Sequence, residues 1–135
     1  MKICTNLAVE LIDITDDVLA EVNKSSIKDG ICIVSTTHTT TAIIINENEP
    51  GLLSDMFNLL NKLVPPGAGY NHDRIDNNAH SHLRAMLLGS SETIPIVDGK
   101  LVLGMWQRIF FVELDGPRQR NVNVTLLASN SRIMS

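Results

Sequence analysis

Four histidines are the side chains best suited to do chemistry, and all lie between positions 38 and 82: His38, His72, His80 and His82. His80 and His82 are two residues apart, so an extended segment would point both imidazoles to one face. Neutral imidazole binds zinc, commonly together with a carboxylate, and Glu47, Asp73 and Asp76 lie nearby in the sequence. The pattern indicates either a metal or catalytic site, or loop and capping histidines that bond to the backbone.

Carboxylates and amides follow a very apolar stretch in the segment INENEPG, residues 45–51. A carboxylate in this place can bind a divalent cation, act as a general base or cap the next helix at its positive end. We expect the capping role for Glu49 and the chemical role for Glu47.

Two further segments carry side chains that suit ligand binding. Trp106 and Gln107 interrupt an apolar segment, where the indole either fills the core or stacks on a planar ligand. Arg118 and Arg120 lie in the segment DGPRQR, where guanidinium groups either bind phosphate or are simply solvated. The sequence contains no Walker A loop, GxGxxG fingerprint, GxSxG elbow or HExxH motif.

The first half of the chain predicts strands and helices that would position these residues. Residues 3–14 alternate loosely and predict one strand, followed by a helix over residues 16–27. The β-branched residues 31–45 predict two strands broken near His38. Helical spacing predicts a second helix after Pro50-Gly51.

The second half predicts one helix and then strands only. The helix covers SHLRAMLLG, residues 81–89, and the strands are ETIPIV, LVLGMWQRIFFVEL and NVNVTLLA. Asp98-Gly99 predicts a hairpin between the first two of these strands. Because helices and strands do not alternate regularly, the order favours an α+β fold with largely antiparallel sheets.

Length and composition predict a single domain over residues 1–135, with 44% hydrophobic residues to build one core. A net charge of -4 gives no general attraction to nucleic acid. No apolar run reaches membrane-spanning length, and the N-terminal segment does not read as a secretory signal. We therefore expect a cytoplasmic protein with neither nucleic-acid nor membrane partners.

Four segments resemble the YjbQ family in their order and spacing, over roughly residues 5–128. They are HTTTAIIINENE, YNHD, NAHSHLRAMLLGSS and IPIVDGKLVLGMWQRIFFVELDGPR. The resemblance implies an α+β fold whose core is a two-sheet, largely antiparallel β-sandwich-like structure with helices to one side. It also implies a homotrimer with a pocket between subunits.

The resemblance further implies which residues form that pocket. The implied catalytic residues are His38, Glu47, His72, Asp73 and His82, and the implied substrate-binding residues are Thr39, Asn46, Trp106, Gln107 and Arg118. A divalent metal ion, magnesium or zinc, would be held by His38, Glu47, His72 and His82. Met105 stands where the family usually has threonine, so a polar role at this position is not expected.

Family members resemble thiamine-phosphate synthases, which join hydroxymethylpyrimidine diphosphate to thiazole phosphate with loss of diphosphate. Magnesium on Glu47 or Asp73 would then neutralise the departing diphosphate, and no organic cofactor is expected. Two alternatives stay open. One is metal-assisted hydrolysis of a small phosphorylated or carbonyl compound, and the other is a non-catalytic trimeric module that binds a small anion.

Overall fold

The structure is a computed structural model, which describes residues 1–130 of the chain. Its elements are β1 (Lys2–Cys4), β2 (Glu10–Asp13), α1 (Thr15–Ser25), β3 (Gly30–Ser35), β4 (Thr41–Asn46), α2 (Pro50–Leu63), a 3-10 helix (Asn71–Arg74), α3 (Ala79–Leu88), β5 (Ser91–Val97), β6 (Lys100–Leu101), β7 (Arg108–Glu113), β8 (Gln119–Asn121) and β9 (Asn123–Ala128). Among residues 1–130, no helix is long and apolar enough to cross a membrane.

The strands form two main sheets and one small pair. One sheet has the order β2-β7-β4, the other has the order β6-β5-β3-β9, and β1 pairs with β8. All of these pairs are antiparallel. The α+β class and the antiparallel sheets expected from the sequence are therefore confirmed.

Strand β7 is the centre of the core because it is buried on both faces. Ile109 and Phe111 pack in a cluster with residues of β3, β5 and α1, between the two main sheets. Phe110 and Val112 point the other way, as alternation along a strand requires, and pack with residues of α2 and α3. Helices α2 and α3 thus cover the outer face of the three-stranded sheet.

Two predicted strands are interrupted by turns. Residues 3–14 form two short strands because the backbone N–H groups of Asn6 and Leu7 donate to the carboxylate of Glu10, at 2.8 and 3.2 Å. The segment after the Asp98-Gly99 hairpin leaves the four-stranded sheet at Leu101. A turn follows before β7 begins in the other sheet, so Trp106 and Gln107 lie in a turn and not in a strand.

Candidate functional site

A polar cleft of about 620 Å³ opens where three segments meet: the β3-β4 loop, the start of α3 and the turn after β7. We call it the histidine cleft. It is lined by Thr37, His38, Thr39, Thr40, Asp76, Asn78, His82, Asp115, Arg118 and Arg120. Four of the residues that the family resemblance implies for the site therefore come together here: His38, Thr39, His82 and Arg118.

The β3-β4 loop holds His38 through hydrogen bonds of its own threonines. The Thr36 hydroxyl accepts the His38 N–H at 3.2 Å and lies 2.8 Å from the Thr41 hydroxyl. The His38 Nε2 atom accepts the Asn121 backbone N–H at 3.0 Å. Burial lowers the pKa of His38, and the nearby Arg120 cation lowers it further, although Glu113 opposes this. Because Nε2 accepts the Asn121 N–H, His38 is neutral in this arrangement and carries its proton on Nδ1.

A buried ion pair, between Glu113 at the end of β7 and Arg120 on β8, holds the floor of the cleft. Arg120 Nε donates to Glu113 Oε1 at 2.9 Å, and Arg120 Nη2 donates to the Thr40 hydroxyl at 2.9 Å. The Thr5 hydroxyl donates to Glu113 at 2.7 Å. Burial raises the pKa of Glu113, but the hydrogen bonds from Arg120 and Thr5 outweigh it, so the pKa is lowered and the carboxylate stays charged.

Glu113 also shapes the turn that carries Asp115 and Arg118. Its Oε2 accepts the backbone N–H groups of Leu114 and Asp115, both at 3.1 Å. Gly116 is required in this turn because a Cβ there would lie 2.3 Å from the Leu7 carbonyl oxygen. Glu113 and Gly116 therefore fix the conformation of this turn, which forms part of the cleft wall.

A chain of hydrogen bonds links Arg118 to His72. Arg118 Nη2 donates to Asp115 Oδ2 at 2.7 Å, Asn78 Nδ2 donates to the same oxygen at 2.9 Å, and Asn78 Oδ1 lies 3.0 Å from His72 Nε2. His72 contacts His82 edge to face, with 4.8 Å between ring centroids. These two histidines border a neighbouring cavity of about 490 Å³, which we call the tyrosine cavity after Tyr70.

Glu47 and Trp106 lie elsewhere, in a cavity of about 430 Å³ that we call the tryptophan cavity. Trp106 is 68% exposed there. The neighbouring Asp13 accepts hydrogen bonds from Arg108 Nε at 2.8 Å and from Asn48 Nδ2 at 3.0 Å. Burial raises the pKa of Asp13, but these bonds and those from Thr15 lower it to about 2. Asp13 is therefore ionised across the neutral pH range.

The remaining predicted residues make local bonds and line none of these three cavities. Asn46 Oδ1 accepts the Glu47 N–H at 2.8 Å, and Asp73 Oδ1 accepts the Ala79 N–H at 2.9 Å at the start of α3. Gln107 Oε1 accepts the Gly104 N–H at 2.7 Å and closes the turn before β7. The expected cap of α2 is confirmed, because Glu49 accepts the N–H groups of the helix's first turn.

The four residues expected to hold a metal ion do not converge within one chain. His38 and His82 line the histidine cleft, His72 lines the tyrosine cavity and Glu47 lines the tryptophan cavity. Within residues 1–130 of a single chain, no three His, Cys, Asp or Glu side chains group closely enough to hold a metal ion. A metal site that combines Glu47 with the histidines would need two chains.

Sequence reasoning missed several residues of the cleft. Asp115 and Asn78 carry the hydrogen bonds between Arg118 and His72, and Glu113 supports the whole turn. One signal was present, since Glu113 is a carboxylate directly after the apolar run IFFV and Arg120 follows seven residues later. A carboxylate at the end of a buried strand requires an oppositely charged partner, and an arginine nearby in the sequence is the expected one.

The fold and the site together define a small α+β protein with a polar, histidine- and arginine-lined cleft. The sequence profile of the family described as UPF0047 protein YjbQ-like matches residues 1–129. A UPF0047 protein of Archaeoglobus fulgidus is 56% identical over 119 residues, which cover 88% of this chain and 92% of that protein. The chain therefore belongs to the YjbQ-like UPF0047 family.

Other relatives agree with this assignment. The UPF0047 protein YugU of Bacillus subtilis is 32% identical over 131 residues, covering 94% of this chain and 96% of that protein. The crystal structure of a YbjQ-like protein of unknown function from Sulfolobus solfataricus superposes with a TM-score of 0.93 at 45% identity, covering 96% of this chain and 94% of the other. A hypothetical protein from Aeropyrum pernix gives 0.92 at 39% identity, with 96% of both chains covered.

Proposed function

We propose that the histidine cleft binds the diphosphate of a small phosphorylated substrate and that the reaction is a thiamine-phosphate synthase-like transfer. The observation that carries the proposal is the presence of His38, Arg118 and Arg120 around one polar cleft. Charge-assisted hydrogen bonds from arginine are the interactions that phosphate oxygens favour.

The proposed step joins two rings and releases diphosphate. The lone pair of the thiazole nitrogen forms a bond to the methylene carbon of the pyrimidine, and the bond from that carbon to the diphosphate oxygen breaks. The electron pair of the broken bond leaves with the diphosphate, and the thiazole nitrogen becomes cationic. No proton has to be removed, so the protein's main task is to stabilise the negative charge on the leaving group.

The cleft has groups free for that task. Arg118 bonds to Asp115 through Nε and Nη2, and its Nη1 makes no hydrogen bond within residues 1–130. His38 is neutral with its proton on Nδ1, because Nε2 accepts from Asn121. An N–H of each side chain is therefore available to a phosphate oxygen. Arg118 and Arg120 are each paired with a carboxylate, and this pairing fixes their orientation before a ligand binds.

The functional unit in this proposal is a homotrimer with the site between subunits. It is supported by the separation of the site residues within one chain, since Glu47 and Trp106 lie in a cavity apart from His38 and His82. It is also supported by the exposure of Met105 and Trp106, at 87% and 68%. Packing the tryptophan cavity of one subunit against the histidine cleft of the next would bring these residues together. A divalent metal ion would then be held by residues of two chains.

Diphosphate binding tests the proposed role of the cleft. We expect inorganic diphosphate to bind the wild-type protein in titration calorimetry, and the Arg118→Ala variant to bind about tenfold more weakly, because one charge-assisted hydrogen bond is lost. Arg74→Ala is the matched control. Arg74 is an exposed arginine that lines none of the three cavities, so its removal changes the net charge equally without touching the cleft.

Binding by Arg74→Ala should stay within about twofold of the wild-type value, since exposed charges act weakly at physiological salt. Equal affinities for the wild type and Arg118→Ala would contradict a diphosphate site in this cleft. Equal weakening in both arginine variants would mean that only the net charge matters.

A further inference from the structure

We propose that Asn78 is a positioning residue that holds His72 with its proton on Nε2 and leaves Nδ1 as an acceptor for a ligand. The importance of Asn78 for turnover rests on the proposed function, whereas the position of the His72 proton depends on these side chains alone. Asn78 is half-buried at the residue preceding α3, between His72 and the turn that carries Asp115.

The orientation of the Asn78 amide follows from its bond to Asp115. Arg118 Nη2 donates to Asp115 Oδ2 at 2.7 Å, so this carboxylate oxygen acts as a hydrogen-bond acceptor. The Asn78 atom 2.9 Å from the same oxygen must therefore be the amide nitrogen. This leaves the amide oxygen facing His72.

The state of His72 follows from the orientation of Asn78. Its Nε2 lies 3.0 Å from Asn78 Oδ1, which can only accept, so Nε2 must carry a proton. A neutral His72 then has its lone pair on Nδ1, which makes no hydrogen bond within residues 1–130. The ring borders the tyrosine cavity, so Nδ1 is the nitrogen left to accept an N–H or O–H of a ligand.

His38 is held in the opposite state. Its Nε2 accepts the Asn121 backbone N–H at 3.0 Å, so a neutral His38 has its proton on Nδ1. The protein thus offers an imidazole donor in the histidine cleft and an imidazole acceptor in the tyrosine cavity, with His82 bordering both. A donor suits phosphate oxygens, and an acceptor suits the amino group of an aminopyrimidine ring.

Nitrogen NMR of the histidine rings tests the inference directly. Two-bond proton–nitrogen correlations on protein labelled with ¹⁵N in histidine distinguish the two neutral forms at about pH 8.5, where imidazole is uncharged. His72 is assigned from the signals that disappear in His72→Gln. We expect the wild-type protein to show His72 protonated on Nε2 alone, and Asn78→Ala to shift His72 toward an average of both forms.

The His38 signals serve as an internal control for folding, because the Asn121 N–H should keep the His38 proton on Nδ1 in both proteins. Asn23→Ala, which removes an exposed amide on α1, should leave His72 unchanged. A wild-type His72 that is protonated on Nδ1 or averaged would overturn the inference, as would an unchanged His72 signal in Asn78→Ala. These spectra require no substrate, so a failure of the proposed transferase function would not alter them.

Discussion

Trimers that combine His82→Ala chains with Glu47→Gln chains are expected to recover thiamine-phosphate formation that neither variant shows alone. Each single variant should lose activity by about 100-fold or more, the usual cost of removing a group that stabilises charge in the transition state. In the proposed homotrimer, one interface of a mixed trimer would pair the intact His82 of one chain with the intact Glu47 of its neighbour. Both residues would then act at the same site.

The expected recovery has a defined size. Co-expressing the two variants with different tags, and purifying over both tags, selects trimers that contain both kinds of chain. Either mixed composition has one correctly paired interface, so about a third of wild-type activity should return. Activity that stays at the level of the single variants would contradict a site shared between chains. Trimers of each single variant, prepared with the same two tags, are the controls.

Glu113→Gln is expected to lower the free energy of unfolding by about 3–5 kcal/mol, the cost of leaving a buried charge without its partner. Glu113 and Arg120 have side chains that are 0% and 5% exposed, so Arg120 would remain buried and unpaired. Urea unfolding followed by circular dichroism, at one fixed protein concentration, measures the change. Thr5 and the turn at Asp115 would also lose hydrogen bonds to a charged oxygen.

A surface pair provides the matched control for this change. Glu21 and Lys24 form an exposed ion pair at 3.4 Å, so Glu21→Gln should cost no more than about 1 kcal/mol. Because the pKa of Glu113 is lowered in the folded protein, its stabilising effect is present above the ordinary glutamate pKa of about 4.3. The difference between wild type and Glu113→Gln should therefore shrink as the pH falls through the folded pKa. Equal losses in Glu113→Gln and Glu21→Gln at neutral pH would refute the buried pair's role.

Local patterns in the sequence predicted several elements because their causes are local. The β-branched run 31–45 does form two strands, and the break falls at the loop that contains His38. Asp98 and Gly99 have the positive φ angles, 51° and 75°, that a tight hairpin turn requires. Glu49 caps α2 through its own carboxylate.

Other features depend on contacts that a local pattern does not contain. Trp106 seemed to continue a strand because apolar residues lie on both sides, but the chain crosses between sheets there and Gln107 closes the turn. Leu59, Leu60 and Leu63 all fit the helical spacing that predicts α2. Leu60 is buried, yet Leu59 and Leu63 are 54% and 62% exposed.

The candidate site was predicted as one group of residues and is found in separate places within one chain. The histidine cleft joins segments near residues 38, 80 and 115, and the pairing of β4 with β7 helps bring two of these together. Glu47 lies only nine residues after His38, but it follows the far end of β4 and faces a different cavity. The length of β4 separates His38 from Glu47 in space, and their short spacing in the sequence motif does not show this.

A turnover measurement with the two phosphorylated precursors and magnesium, comparing wild type, Arg118→Ala and Arg74→Ala, tests the proposed transferase reaction in the histidine cleft. We expect thiamine phosphate and diphosphate to form in equal amounts with the wild type and Arg74→Ala, and kcat to fall about tenfold or more in Arg118→Ala. Release of phosphate or diphosphate without the joined product would indicate a hydrolase. Binding of the diphosphate substrate without any product would contradict the transferase and indicate a small-anion-binding module.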